Sequence, residues 1–444
     1  MEQIEMKQSK VFPLVLRMGL PMMLSMLVNS LYNIVDSYFV AKINEEAMTA
    51  LSLVYPIQNV VTAVSVGFGI GINATIAYFL GANERKKADH AASLGMLLNG
   101  AHGALLMVFC FLFMPHFLSW FTKNSMIYDQ ALLYSNYVFA CCIPITIAIG
   151  YEKIFQAVGR MEVSMICMMI GFVTNIVLDP LFIFGIGIFP KWGIMGAAVA
   201  TDIGQIATLL GYLVFYVARP IPVSITRTCM KPTKEMCVRL YKIGLPATLN
   251  MALPSVQISV LNGMLAAFSG SYVLVLGAYY KLQTFLYLTA NGVVQGMRPI
   301  IGYNYGAGEK ERVKKIFSVT LLIIVTFMAV GTILSLSIPS ALIGIFTDNP
   351  DTIAIGTTAL RIISIGFIVS SFSVTASGAL EGLSRGTESL VITFLRYIGV
   401  MLPLAGILCH LCGAMGCFIA FAVTEWIVGI IAYVIYQRTY RRIM

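Results

Sequence analysis

Five polar side chains in two apolar stretches have the chemistry to hold a cation or a proton. In the first stretch, Leu14 to Val40, Asn29, Asn33 and Asp36 recur at i, i+4 and i+7. A helix places them in one stripe. In a later stretch, Asn175 and Asp179 stand at i and i+4, again on one helix face. A carboxylate inside a membrane helix costs about 3 kcal/mol on insertion scales, and it persists where it faces a protein interior or a wet cavity. Two carboxylates and an amide at one depth make a site for a cation or an exchangeable proton. The competing reading is ordinary polar packing inside a helical bundle.

Further residues extend this list. Asp202, beside Thr201, and Glu425 lie well inside their apolar stretches. Each either lines a cavity or pairs with a cation such as Arg396. Glu152 is placed to line a path for a cationic substrate. Its neighbour Lys153 is adjacent in sequence, and adjacent residues do not face each other on a helix, so the two are not expected to pair. Lys281 is a positive charge in the second half of the chain that calls for an acidic partner. Met22 and Met26 share one face, as do Met165 and Met169. Flexible, polarizable Met suits a promiscuous binding surface, although such stripes also fill cores. Gln58 and Gln283 are candidate cavity amides. Gly67, Gly69 and Gly71 lie in an apolar run, where close helix packing is favoured over a phosphate cradle. Cys409, Cys412 and Cys417 beside His410 lack the second ligand pair of a structural zinc site. No nucleophile–base arrangement, metalloprotease motif or nucleotide-binding loop is legible, so no enzyme, no metal and no cofactor other than a coupling ion is expected.

The elements that must position these residues are membrane helices. Of 444 residues, 58% are hydrophobic and only 11% charged, against about 25% charged in soluble proteins. Mean hydropathy is +0.85. Apolar runs of spanning length, about 20 residues, recur at 14–40, 50–80, 92–119, 131–157, 162–185, 193–218, 238–268, 272–304, 313–345, 352–381, 388–411 and 414–437. Only helices or closed barrels satisfy the backbone in lipid, and a barrel would alternate in short segments. The expectation is an all-α polytopic membrane protein of twelve transmembrane helices. MEQIEMKQSK is too polar and acidic for a cleaved signal peptide. With both termini inside, the inner segments carry Lys7, Lys10, Arg85, Lys86, Lys87, Arg160, Arg219, Lys310 and many more, and the outer ones only Lys42, Lys123 and Lys191. This is a strong positive-inside bias. It accounts for the net charge of +9 without nucleic acid, and basic inner loops suit contact with anionic membrane lipid.

Sliding the chain by 225 residues brings Gly19-Leu20-Pro21 onto Gly244-Leu245-Pro246, Gln58 onto Gln283, and Gly67 and Gly71 onto Gly292 and Gly296. Gly81-Ala82-Asn83-Glu84-Arg85 lands on Gly306-Ala307-Gly308-Glu309-Lys310. Such a repeat implies two parallel six-helix lobes: an N-terminal lobe at 1–218, a cytoplasmic linker at 219–235 and a C-terminal lobe at 236–444. Asp36, Asn175 and Asp179 map onto Leu261, Val400 and Leu404. The scaffold is duplicated but its carboxylates are not, which points to a task rather than a folding requirement.

The chain resembles the multidrug and toxic compound extrusion (MATE) transporters. The likeness rests on Gly19-Leu20-Pro21 ahead of Asp36, the GANERKKA loop, Asn175-Ile-Val-Leu-Asp179-Pro180, and Arg298-Pro-Ile-Ile-Gly-Tyr-Asn-Tyr-Gly-Ala307. It is most similar to the bacterial multidrug-pump branch that keeps Asp36, Asn175 and Asp179. The resemblance implies a V-shaped pair of lobes and export of organic cations against H⁺ or Na⁺ by alternating access. It also implies cation binding at Asp36 and Asp179, and helix bending at Pro21. The implied setting is a monomer in the bacterial inner membrane. One branch of the family carries acidic ligands in its seventh and tenth helices, where this chain has Gln257 and only Glu381. The alternative is a lipid-linked oligosaccharide flippase of the same superfamily, which twelve spans and paired acids disfavour.

Overall fold

The computed structural model describes residues 3–443. All regular structure among them is helical. In chain order the helices are α1 (Gln3–Gln8), α2 (Val11–Ala41), α3 (Glu45–Gly81), α4 (Arg85–Phe121), α5 (Ser125–Ala140) and α6 (Cys142–Ala157). Then come α7 (Met161–Phe184), α8 (Ile194–Ala218), α9 (Lys234–Ala266), α10 (Gly270–Gly306), α11 (Lys310–Ser337) and α12 (Pro339–Gly344). The chain closes with α13 (Pro350–Ser364), α14 (Phe367–Gly382), α15 (Gly386–Phe394), α16 (Met401–Cys412) and α17 (Met415–Ile443). A π-helical turn, Leu395–Gly399, joins α15 to α16.

Eight segments are long and apolar enough to cross a bilayer, or ten if the bent pairs α5–α6 and α13–α14 each count as one. The remaining two expected spans are α9 and α10, of 33 and 37 residues. They have the length but a more polar composition. The fourth and tenth expected spans are thus broken helices, bent by 47° and 53°. α2 runs unbroken through Pro21.

The repeat is written into the local backbone. Asn124 caps α5 by accepting from the N–H groups of Met126 and Ile127, and Asn349 caps α13 by accepting from those of Asp351 and Thr352. Each capping Asn donates its own N–H to a Thr two residues earlier, at 3.2 Å in both cases. The left-handed residues pair in the same way. Asn83 (φ 60°) matches Gly308 (φ 73°), and Gly159 (φ 80°) matches Ser384 (φ 60°). Both pairs are 225 residues apart.

By contact the chain divides into two compact units, one of Leu24–Thr248 and one of the described residues up to Met23 with Leu249 onward. Both divisions fall inside helices, α2 and α9, whereas the lobes read from the repeat are bounded at 218 and 236. Glycines make the close approaches within each unit. A Cβ on Gly67 would strike the backbone of Thr248, and one on Gly71 would lie 2.5 Å from the Leu240 carbonyl oxygen. In the other unit, a Cβ on Gly292 would fall 2.7 Å from the Met23 Cα.

Candidate functional site

The first unit gathers the carboxylates. Asp36 on α2 and Asp179 on α7 are buried at 8% and 0% exposure, and their side chains lie within hydrogen-bonding reach of each other. The i, i+4 spacing brings the Asn175 amide to Asp179 Oδ1 at 3.3 Å, and the same amide donates to Thr201 Oγ1 at 3.2 Å. α7 and α8 pack closely through glycines. A Cβ on Gly204 would lie 2.8 Å from the Gly171 carbonyl oxygen, and this proximity carries Thr201 into the cluster. Tyr32, one turn before Asp36 on α2, hydrogen-bonds Thr201 and stacks on Phe172 of α7 at 5.2 Å. Asp202 is buried and hydrogen-bonds the Cys141 thiol at the α5–α6 bend. One oxygen on each of Asp36, Asp179 and Asp202, together with the Asn175 Oδ1, is buried without a hydrogen-bond donor. Among the described residues, no Lys or Arg lies within ion-pair distance of Asp36, Asp179 or Asp202.

Other buried acids are treated differently. Glu152 meets Lys153 Nζ at 2.7 Å and accepts from the Gln156 amide at 2.7 Å. The expected failure of this pair does not occur. The four-carbon Lys stem folds back along the helix, which a rule about Cβ directions does not capture. Glu381 Oε2 lies 2.8 Å from Arg298 Nε, at an angle that makes it an ion pair rather than a linear hydrogen bond. Its Oε1 accepts from Asn250 and Ser389. Glu425 Oε1 accepts from Arg396, with Nε at 2.8 Å and a terminal nitrogen at 2.7 Å. Of the two alternatives weighed for the acids of α8 and α17, Glu425 takes the ion pair and Asp202 does not. Lys281 has no acidic partner among the described residues. It is exposed, with its ammonium 5.6 Å from the centre of the Phe346 ring.

The remaining candidates are scattered. Asn33 is exposed and donates to the Asn29 carbonyl and to its Oδ1, both at 2.8 Å. The two amides satisfy each other rather than Asp36. Gln58 approaches the Tyr134 hydroxyl at 3.4 Å. Met22 is buried, while Met26, Met165 and Met169 are half-buried. Gln283 belongs to the second unit, beside Arg396 and Glu425. Sequence reasoning missed Tyr32, Cys141 and the hydrogen-bonding role of Thr201. Only the one-turn spacing of Tyr32 from Asp36 was available as a signal.

Comparison with known proteins follows this geometry. The chain is 26% identical to the multidrug export protein MepA of Staphylococcus saprophyticus over 433 residues, covering 97% of this chain and 94% of that one. Among solved structures it superposes on a Pyrococcus furiosus MOP superfamily transporter, described as having reversed binding-pocket polarity that suggests a different function. The TM-score is 0.92 at 21% identity, over 100% of this chain and 99% of that one. An outward-facing multidrug resistance MATE family transporter of the MOP superfamily matches with TM-score 0.93 at 22% identity, over the same shares. These likenesses fix the fold, a polytopic helical membrane protein. The sequence profile of the MatE family matches residues 21–181 and 246–407, and on that match the chain belongs to the MatE family of transporters.

Proposed function

We propose that this protein exports organic cations, drugs among them, by antiport against H⁺ or Na⁺ across a bacterial inner membrane. The coupling ion binds at Asp36, Asn175 and Asp179 in the first unit. One observation carries the reading: Asp36 and Asp179 meet in a buried setting with no cationic side chain beside them, while Glu152, Glu381 and Glu425 each have one. Two carboxylates in contact away from water cannot both stay charged without a proton or a metal cation between them. A mobile cation supplies what the chain omits. Thr201, with a hydroxyl oxygen next to the Asn175 amide, and Asp202 extend the oxygen-rich set that hard cations prefer.

Organic cations and the coupling ion then compete for the same negative charge, which is the energetic basis of exchange. Pro21 lacks an N–H to continue the ladder of α2, so the turn before the site is where that helix bends. The multidrug export named for the staphylococcal relatives supports small-molecule substrates here.

The test is export of a fluorescent organic cation from cells expressing the wild type, Asp36→Asn or Asp179→Asn at equal membrane levels, repeated across pH and Na⁺ gradients. Each substitution is expected to lower export at least tenfold. Export by both variants at the wild-type rate overturns the site, and no export by the wild type overturns the function.

A further inference from the structure

The second unit holds a cleft that differs in kind from the carboxylate cluster. It is lined by Gln257 of α9, Gln283 of α10, Arg396 and Tyr397 of the π-helical turn, and Phe421 and Glu425 of α17. The extra residue of a π turn widens the helix locally, a device common at functional sites. Arg396 sits in that turn and is turned inward, 7% exposed. Its Nε and one terminal nitrogen bind Glu425, and that terminal nitrogen also donates to the Tyr287 hydroxyl at 2.5 Å. Tyr287 is held in turn by Ser370 at 2.8 Å. The guanidinium is therefore fixed, not mobile.

Its other terminal nitrogen has no partner among the described residues, and Glu425 Oε2 is buried without a donor. Gln257 is 3% exposed, and its amide makes no hydrogen bond among the described residues. Gln283 makes none either. A buried polar group left unpaired costs about 1–3 kcal/mol, so four such groups converging on one small cleft point to a ligand. The cleft is sized for a functional group rather than a whole drug.

We infer that this cleft is a second substrate subsite, recognising the carboxylate and ammonium of zwitterionic aromatic substrates. The carboxylate takes the free terminal nitrogen of Arg396 and a Gln amide. The ammonium takes Glu425 Oε2, and the ring system rests on Tyr397 and Phe421. The charge logic decides the class. Arg396 and Glu425 cancel, so a singly charged ligand would leave an unbalanced charge in a low-dielectric site, whereas a zwitterion balances both. The carboxylate cluster of the first unit has the opposite preference, for net cations. The inference deepens the export reading and rests on it for its physiological meaning, but binding can be read separately.

The experiment measures binding of two dyes to the purified protein in nanodiscs by fluorescence anisotropy: rhodamine 110, a zwitterion with a free carboxylate, and its methyl ester, a cation. Arg396→Gln is expected to lower the ratio of zwitterion to ester affinity at least tenfold. Because that change strands Glu425, a second variant, Arg396→Gln with Glu425→Gln, removes both charges together and is expected to shift the ratio in the same direction. Gln257→Leu tests the amide and is expected to shift it about threefold. Equal losses for both dyes in the folded variants, or no zwitterion binding to the wild type, overturn the subsite. Binding without export by the wild type in proteoliposomes would count against the transport reading and leave the subsite standing.

Discussion

Glu381 and Asp179 are both buried, yet only Glu381 has a guanidinium beside it. That difference separates a structural acid from a working one, and it yields a prediction for each. Arg298→Gln leaves Glu381 charged in the interior with only Asn250 and Ser389 to solvate it. Breaking one side of a buried pair costs about 3–5 kcal/mol, while removing both charges costs far less. Thermal unfolding in detergent should therefore show a large loss for Arg298→Gln and recovery of most of it in Arg298→Gln with Glu381→Gln. At the other site, Thr201→Val keeps the side-chain shape but removes the oxygen that binds Asn175. Stability should change by about 1 kcal/mol, the worth of one hydrogen bond, while export should need a steeper ion gradient. A variant that unfolds, or one with an unchanged gradient dependence, would refute that role. The i, i+4 logic found Asn175 and Asp179 from the sequence because both lie on one helix. It could not find Thr201, Tyr32 or Cys141, whose relation to the carboxylates exists only across helices. Nor could it foresee Glu152 with Lys153, where side-chain length overrides Cβ direction.

At the scale of the helix, glycine marks where backbones touch and where they do not. Gly292 and Gly277 both lie in α10. A Cβ on Gly292 would meet Met23 backbone atoms at 2.7 Å, whereas one on Gly277 meets nothing within 4 Å. Gly292→Val should abolish folded protein or force the start of α2 away from α10. Gly277→Ala should raise stability by about 0.5–1 kcal/mol through helix propensity alone. Size-exclusion recovery and melting temperature distinguish the two, and equal behaviour would remove the packing argument. The spans themselves were legible from apolar length. Their breaks were less so, although each has a physical trace. Pro144 in α6 leaves the Ala140 carbonyl without its helical donor just at the α5–α6 bend. Gly366, between α13 and α14, occupies the matching position in the repeat. The π turn around Arg396 left no sequence trace, because it is set by the ion pair and ring contacts that hold the guanidinium in place.

Over the whole chain, the repeat was legible at one offset, and the structure carries it down to backbone angles that residue identity alone would not match. Ser384 adopts the left-handed conformation that Gly159 adopts 225 residues earlier, and Asn83 matches Gly308. The division into contact units was not legible, since it depends on which helix halves come close at Gly67 and Gly292. Orientation is a whole-chain property of another kind. It follows from the summed placement of Lys and Arg, and no single helix encodes it. The loops after α3 and α10 carry Arg85, Lys86, Lys87 and Lys310, and the segment after α4 carries only Lys123. If charge sets the orientation, the first two loops face the cytoplasm and the third faces out. Single cysteines read this directly, in a background where Cys229, Cys237 and Cys412, the more accessible native thiols, are changed to Ser. A membrane-impermeant maleimide should label Lys123→Cys in intact cells, and Lys86→Cys and Lys315→Cys only after permeabilisation. The reverse pattern would invert the orientation. Labelling of Lys86→Cys and Lys315→Cys from opposite sides would break the parallel repeat itself, because two copies of one six-helix unit must return the chain to the side from which it started.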